Sequence, residues 1–204
     1  MSPIVEWSNL RKKTFVFFKE HLSKESGSLL DLGAGPQQFK ELTKSFATTA
    51  VDKDPYPGID VIADITKPLP FSEHTFDVVM LSHTLEHISE PYELLRECRR
   101  VLKPGGLLIL AVPFMVLEHQ GPYDFFRYTQ YGLTYLLRDF ADVEITQLGT
   151  SNDVLVHDMQ KILMKGGVHR FVAIPLVWLL NVLPTVKDIK MAEGYGVVAR
   201  KITG

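Results

Sequence analysis

The sequence has very little cysteine and no marked excess of charge of either sign. Cys98 is the only cysteine in 204 residues, which excludes an internal disulfide framework. Because Cys98 lies within a helical pattern of apolar residues, we interpret it as a buried structural thiol rather than a nucleophile. The net charge is −2, whereas a protein that wraps nucleic acid usually carries a basic patch. We therefore expect no nucleic-acid partner.

The sequence also lacks a signal peptide pattern and an uninterrupted long apolar run. Residues 1–26 predict an amphipathic helical lead-in without a cleavage site, which favours a cytoplasmic protein. The most apolar stretch, residues 171–186, is broken by Pro175, Asn181 and Pro184 and is shorter than the roughly 18 residues that suggest a membrane span. Its basic flanks leave three interpretations open: a peripheral contact with anionic lipid, a lid over a ligand, or a homodimer face.

The most informative segment is residues 28–36, Ser-Leu-Leu-Asp-Leu-Gly-Ala-Gly-Pro. A short apolar run contains Asp31, and Gly33 and Gly35 follow before a helical pattern over residues 37–46. This order predicts a strand, a tight turn and a helix. Glycines let the backbone of such a turn adopt positive φ and approach a ligand, while the helix that follows presents unpaired N–H groups. We therefore expect a ligand at this turn.

Strand and helix patterns alternate beyond this turn, which is typical of a parallel sheet with helices on both faces. Predicted strands cover residues 48–52, 61–64, 76–81, 107–112, 143–148 and 194–201. One predicted helix starts at Pro91 and is stopped by residues 103–106, and a second covers residues 130–140. The length fits one α/β domain over residues 1–204. Residues 151–192 are too long for an ordinary connection, so we predict an apolar helical insertion there.

Three of the predicted strands contain or end in an acidic residue: Asp31, Asp52 and Asp64. Asp52 lies about where α/β nucleotide-binding folds place the acid that accepts hydrogen bonds from ribose hydroxyls, and Asp64 suits an adenine amino group. A carboxylate at Asp31 would repel a pyrophosphate but attract an ammonium group. The three acids thus favour a cationic, amino-acid-bearing nucleoside over a dinucleotide. The sequence also contains no Tyr-x-x-x-Lys pair, which argues against a dehydrogenase.

Several motifs resemble, in the same order, those of class I S-adenosylmethionine-dependent methyltransferases. They are Asp31-Leu-Gly33-Ala-Gly35, Val51-Asp52, the strand 76–81, and Arg99-Arg-Val-Leu-Lys103-Pro-Gly-Gly106. The resemblance covers about residues 28–150. It implies a Rossmann-like, seven-stranded, mostly parallel sheet with helices on both faces and a reversed last strand, for which residues 194–201 are the candidate. It also implies S-adenosyl-L-methionine as methyl donor and S-adenosyl-L-homocysteine as product.

The same resemblance places the cofactor pocket at the glycine turn and at the tips of the second, third and fourth strands. The expected cofactor-binding residues are Asp31, Gly33, Ala34, Gly35, Asp52, Lys53, Asp64, Ile65, Ser82 and His83. Gln37 departs from the family pattern, which often has a third glycine in this loop.

The segment after the fourth strand, residues 81–87, is similar to the Leu-Glu-His element of ubiquinone-biosynthesis O-methyltransferases. Some members of that subgroup hold a metal there. His83 stands in place of an expected acid, so we predict no metal ligand. His83-x-x-Glu86-His87 also matches an inverted zinc-protease pattern, which its position directly after a buried strand disfavours.

The resemblance implies that the loop over residues 113–128 builds the acceptor side. Methyl transfer is an in-line displacement, so holding the acceptor collinear with the methyl group supplies most of the acceleration. The candidate catalytic residues are His119, His87, Tyr123 and Tyr128. His119 is the first choice for a general base, with a solvated loop histidine as the alternative. Arg127 has two interpretations: a clamp for an anionic acceptor, or a partner of Asp124.

Together these features predict an S-adenosylmethionine-dependent methyltransferase acting on an unidentified small or lipid-like acceptor. The alternative is a non-catalytic cofactor-binding or interaction module that acts through its apolar C-terminal segment. Both alternatives stay open at this point, because methyl transfer requires few catalytic groups. We expect a cytoplasmic protein, with peripheral membrane contact or homodimer formation through residues 171–186 as further interpretations.

Overall fold

The structure is a computed structural model that describes residues 8–156, 175, 178–179 and 191–203. In this part of the chain, the helices with defined ends are α1 (Asn9–Leu22), α2 (Lys40–Thr43), α3 (Pro91–Val101) and α4 (Gln130–Leu136). The strands are β1 (Ser28–Leu32), β2 (Ala47–Asp52), β3 (Val61–Ile62), β4 (Phe76–Ser82), β5 (Leu102–Pro113), β6 (Phe140–Leu148) and β7 (Gly194–Lys201). Leu85–His87 form a 3-10 turn, and residues 151–156 are helical.

The strands form one seven-stranded sheet in the order β3-β2-β1-β4-β5-β7-β6. The five strands from β3 to β5 are parallel, and β7 runs antiparallel to both β5 and β6. The predicted Rossmann-like fold with a reversed last strand is therefore confirmed. Gly196 of β7 packs directly on α1, since an added Cβ would lie 2.6 Å from the ring of Phe17.

Both faces of the sheet are buried, as the continuous apolar runs predict. In β4, Val78 and Met80 pack on the face that carries α1, whereas Val79 and Leu81 pack on the face that carries α3. Cys98 of α3 is fully buried, and burial raises the pKa of its thiol well above the usual range. This confirms its interpretation as a structural thiol.

The N-terminal helix α1 is an integral part of the domain. Ser8 caps it by accepting a hydrogen bond from the backbone N–H of Arg11. Lys13 reaches across to the end of the sheet, where its Nζ lies 2.6 Å from Asp153 Oδ1 and 3.4 Å from Glu193 Oε2. These ion pairs hold α1 over the carboxyl end of β4, and Arg11 and Thr14 are thereby brought to that end.

Some elements are shorter than the sequence patterns predict. The helix predicted over 37–46 is reduced to the four residues of α2, because Gln37 adopts φ +52°. The strand β3 ends at Ile62, so Asp64 lies in the turn that follows. The helix predicted over 130–140 ends at Leu136.

The predicted insertion at 151–192 lies largely outside the described residues. The same holds for the apolar stretch 171–186 and its proposed membrane, lid or dimer roles. No helix in the described part of the chain has both the length and the apolar character needed to cross a bilayer.

Candidate active site

The carboxyl ends of β1, β2 and β4, together with the turn after β3, open into a cavity of about 620 Å³. The strand order changes direction between β1 and β4, and open α/β sheets bind their ligands at such a switch point. All ten residues expected to bind the cofactor line this cavity. A cavity of this size is large enough for a nucleoside with an amino-acid chain.

The glycine turn presents its backbone to the cavity. The N–H groups of Gly33 and Ala34 both donate to the carbonyl of Val51, which ties the turn to β2. Gly33 has φ +70°, and an added Cβ would lie 2.6 Å from the side chain of Thr84. Gly35 has φ +51°, but there is no atom within 4 Å of the position its Cβ would take. A flat ligand can therefore rest directly against the backbone at Gly35.

Gln37 explains why a third glycine is missing from this loop. Its backbone adopts the left-handed conformation, with φ +52°, despite carrying a side chain. The side-chain Nε2 donates to the carbonyl of Gly58, which links the glycine turn to the loop between β2 and β3. A glycine at position 37 would offer a more flexible backbone, whereas the Gln37 side chain links two loops that border the cavity.

Two of the strand-end acids are held by backbone donors at the rim. Asp52 Oδ2 accepts from the N–H of Gly35 at 2.8 Å, and Oδ1 accepts from the N–H of Asp54 at 3.0 Å. Each oxygen keeps a lone pair for a further hydroxyl donor. Asp64 Oδ1 accepts from the hydroxyl and the N–H of Thr66, and these hydrogen bonds lower the pKa of Asp64.

Asp31 differs from the other two acids because it is buried. Burial raises its pKa to about 7, and the neighbouring carboxylate of Asp52 adds to the increase. No residue in the described part of the chain donates a hydrogen bond to the Asp31 carboxyl group. A cation in this part of the cavity would therefore stabilise the ionised form of Asp31.

Arg11 brings a positive charge into the same cavity from α1. Burial lowers the pKa of its guanidinium, and the nearby Glu86 partly offsets that decrease. Sequence reasoning missed this residue, because in an amphipathic helix nothing distinguishes Arg11 from the neighbouring lysines.

His83 lines the cavity but faces α1. Its Nε2 lies 3.0 Å from Thr14 Oγ1, and that hydroxyl donates to the carbonyl of Leu10. The hydroxyl can then only accept from His83, which assigns the ring proton to Nε2. Burial lowers the pKa of His83 to about 3, so the ring is neutral. The residue fastens the end of β4 to the N-terminal helix.

Glu86, His87 and His119 lie together, and His87 is the one of the three that lines the cavity. Glu86 is fully buried, and burial raises its pKa to about 8. The rings of His87 and His119 lie edge to face with centroids 5.2 Å apart. Tyr123 lines the cavity beside them, and its carbonyl lies 2.7 Å from His87 Nδ1. Burial lowers the pKa of His119.

The loop that carries His119 is held by Arg127 and Asp124. Arg127 donates to both carboxylate oxygens of Asp124, at 2.6 and 2.7 Å, and also to the carbonyl of Val116. Asp124 in turn accepts from the backbone N–H of His119 at 2.8 Å. Of the two interpretations of Arg127, the pairing with Asp124 is therefore confirmed. Its guanidinium shapes the loop and is not a free anion clamp.

Residues 30–110 match the family model described as a methyltransferase domain. Over 67 residues the chain is 42% identical to the demethylmenaquinone methyltransferase of Renibacterium salmoninarum, a match that covers 33% of this chain and 28% of that protein. Over 103 residues it is 32% identical to the ubiquinone biosynthesis O-methyltransferase of Caulobacter vibrioides, covering 43% and 41%. This similarity assigns a methyltransferase-like domain to residues 30–110, which is less than half of the chain. The matched region spans less than half the length of both relatives.

Solved structures of methyltransferases share the fold of this chain. A SAM dependent methyltransferase from Archaeoglobus fulgidus superimposes with a TM-score of 0.64 at 21% identity, covering 95% of each chain. Phosphoethanolamine N-methyltransferase 2 of Haemonchus contortus, in complex with S-adenosyl-L-methionine, gives a TM-score of 0.60 at 14% identity over 93% of this chain and 52% of that one. The names of these two structures include the cofactor that the sequence resemblance implies.

One of the candidate catalytic residues has to be corrected. Tyr128 is buried and does not line the cavity, and its hydroxyl donates to the carbonyl of Leu85 at 2.9 Å. The tyrosine therefore holds the turn that follows β4. His87 and Tyr123 do line the cavity, and His119 contacts His87, so these three predictions are compatible with the geometry.

Proposed function

We propose that this protein transfers a methyl group from S-adenosylmethionine to a small or lipid-like acceptor that enters beside the loop over residues 113–128. The observation that carries the proposal is the convergence of all ten expected cofactor-binding residues on one cavity. The residues lie on four separate segments of the chain, and only the parallel sheet brings them together.

The residues of the cavity fit the cofactor group by group. Asp52 is placed to accept hydrogen bonds from ribose hydroxyls, because both of its oxygens are already oriented by backbone donors. Asp31 offers a buried carboxyl group to the ammonium of the amino-acid portion, and Arg11 offers a cation to its carboxylate. Asp64, ionised in the turn after β3, is assigned to the adenine amino group. When bound, the cofactor supplies an activated methyl group on a cationic sulfur.

The acceptor end of the cavity supplies orientation and a neutral base. The lowered pKa of His119 keeps its imidazole neutral at physiological pH, so that it can take a proton from an acceptor hydroxyl. Tyr123 closes the mouth from the loop side, where Lys53 Nζ lies 5.1 Å from the centre of its ring. This contact joins the cofactor side of the cavity to the acceptor side and helps to exclude water.

The exposed aromatic side chains of the loop support an apolar acceptor. Tyr123, Phe125 and Phe126 all expose a large part of their rings beside the cavity. The names of the two relatives refer to menaquinone and ubiquinone synthesis, and these also favour an acceptor with an aromatic, lipid-like character.

Calorimetry with S-adenosylmethionine and S-adenosylhomocysteine tests the proposal. We expect both to bind the wild-type protein and Asp52→Ala to lose at least tenfold in affinity with its fold intact, since charged hydrogen bonds contribute about 1.5–3 kcal/mol each. Glu93→Ala is the matched control, because it removes an equal charge from an exposed position on α3. Absence of binding to wild type at millimolar ligand would overturn the proposal. Binding without any turnover across broad acceptor pools would instead favour the non-catalytic module.

A further inference from the structure

Behind His87, which lines the cavity, lies a group of polar atoms that the cofactor assignments do not use. Glu86 is fully buried, and no other residue in the described part of the chain hydrogen-bonds to either of its carboxyl oxygens. The Nε2 atom of His87 is also buried without a partner there, and it lies 3.9 Å from Glu86 Oε1. Buried polar atoms are nearly always hydrogen-bonded or bound to an ion. Three such atoms side by side therefore indicate a missing ligand.

The donor set and its supports match what a metal ion requires. One ligand atom from each of Glu86, His87 and His119 lies within 4.8 Å of the others. The second nitrogen of each histidine faces a carbonyl: His87 Nδ1 lies 2.7 Å from Tyr123 O, and His119 Nδ1 lies 3.2 Å from Leu117 O. For His87 this contact keeps the proton on Nδ1 and leaves the Nε2 lone pair for a metal, as outer-shell partners do in metalloproteins. His119 Nδ1 also lies 3.3 Å from Arg127 Nη2, which can only donate, so either ring nitrogen of His119 can serve as the ligand atom.

His83 is close to this group in the sequence but is not part of it. Its Nε2 accepts no ligand, because it donates to Thr14 of α1. The third ligand atom comes instead from His119, on the loop over 113–128 that Arg127 and Asp124 hold in place.

We propose that Glu86, His87 and His119 form a binding site for a divalent transition-metal ion. A neutral imidazole has one lone pair, so in the metal-bound protein His119 is a ligand in place of the general base. One carboxylate and two imidazoles favour zinc, manganese, iron or cobalt over magnesium, which prefers an all-oxygen environment. Metal–ligand bonds of about 2.0–2.2 Å place ligand atoms closer together than 4.8 Å, so metal binding requires the three side chains to approach one another. The charge of Arg127, whose guanidinium lies 3.3 Å from His119 Nδ1, is balanced by Asp124.

The competing explanation is a protonated, metal-free Glu86. Under that explanation the carboxyl group simply keeps its proton at neutral pH and no ion enters the cavity. A metal would instead hold Glu86 ionised and both imidazoles neutral. The two explanations differ in whether the protein binds a metal ion. Metal binding can be measured without methyl transfer, so the result is independent of the proposed function.

Titration of the chelator-treated protein with Co²⁺ tests the site through the visible absorption of bound cobalt, with Zn²⁺ as competitor and Mg²⁺ as comparison. We expect one bound Co²⁺ per chain, displacement by Zn²⁺ and not by an equal concentration of Mg²⁺, and at least a tenfold loss of affinity in Glu86→Gln and in His119→Gln. His83→Gln is the matched control and should retain cobalt binding.

Two further measurements keep the test decisive. Circular dichroism and thermal unfolding in chelator verify that each variant is folded, and Zn²⁺ should raise the Tm of the wild type but not that of His119→Gln. The proposal is wrong if folded wild type binds cobalt no better than Glu86→Gln and His119→Gln. It is equally wrong if His83→Gln loses as much affinity as His119→Gln.

Discussion

The buried carboxyl group of Asp31 is expected to make cofactor affinity depend on pH. Its pKa in the free protein is raised to about 7, so at pH 6 only about one tenth of the molecules carry the carboxylate. The cofactor ammonium pairs with the ionised form, and affinity at pH 6 should therefore be about tenfold below its limit at high carboxylate occupancy. The ammonium itself loses its proton near pH 8, which places the maximum at roughly pH 7.5.

Asp31→Asn should remove this dependence and weaken binding. Loss of a hydrogen bond between charged groups costs about 1.5–3 kcal/mol, which is about a tenfold to hundredfold loss of affinity at pH 7.5. The affinity of the variant should no longer fall between pH 7 and pH 6. Asp64→Asn is the control, because the lowered pKa of Asp64 keeps it ionised over this whole range and the slope should persist.

Stability should respond to the same substitution with the opposite sign. The folded protein holds the Asp31 proton up to about pH 7, whereas the unfolded chain releases it near pH 4, so the free energy of unfolding falls as pH rises from 4 to 7. Asp31→Asn removes this pH-dependent loss of unfolding free energy, which is on the order of 4 kcal/mol for three pKa units. The variant should therefore have a higher Tm than the wild type at pH 8.

Isothermal titration calorimetry between pH 6 and 8, paired with thermal unfolding at the same pH values, measures both effects of Asp31. A wild-type affinity that is unchanged between pH 6 and 7.5 would refute the reasoning. A variant Asp31→Asn that keeps both the affinity and the slope would refute it as well.

Two other predictions concern the turns beside the cavity. Gly33→Ala should lower the Tm more than Gly35→Ala. An alanine at either position costs about 1–2 kcal/mol because φ is positive, but only the Cβ at position 33 would clash with Thr84. Equal losses in thermal unfolding would contradict this. Tyr128→Phe should cost about 1 kcal/mol, since its hydroxyl donates to Leu85, and should leave turnover unchanged. Loss of turnover at unchanged Tm would return the tyrosine to the catalytic candidates.

The strands along the chain and the residues that line the cavity could be predicted because their signals are local. An apolar run buried on both faces, such as β4, produces a continuous pattern in the sequence whatever lies against it. Gly33 and Gly35 mark backbone conformations that other residues rarely adopt. In a parallel sheet the strand ends then meet at one edge, so Asp31 and Asp52 converge without further information.

The ends of elements were less predictable because they depend on contacts made by single side chains. Gln37 continues a helical pattern, yet its backbone turns left-handed and its amide bonds to Gly58, so α2 begins later than predicted. The pattern of β3 extends to Asp64, but the side chain of that residue bonds to Thr66 and forms a turn instead.

The sequence alone was enough to predict the Rossmann-like fold, the edge of the sheet at which the cavity opens and the acids that line it. Only the tertiary structure decided which distant side chains meet there. Arg11 enters the cavity because α1 packs on β4, and His119 reaches Glu86 because Arg127 fixes the loop. The physical reason is that periodicity and glycine placement report on neighbouring residues, whereas contacts across tens of residues depend on how the elements pack.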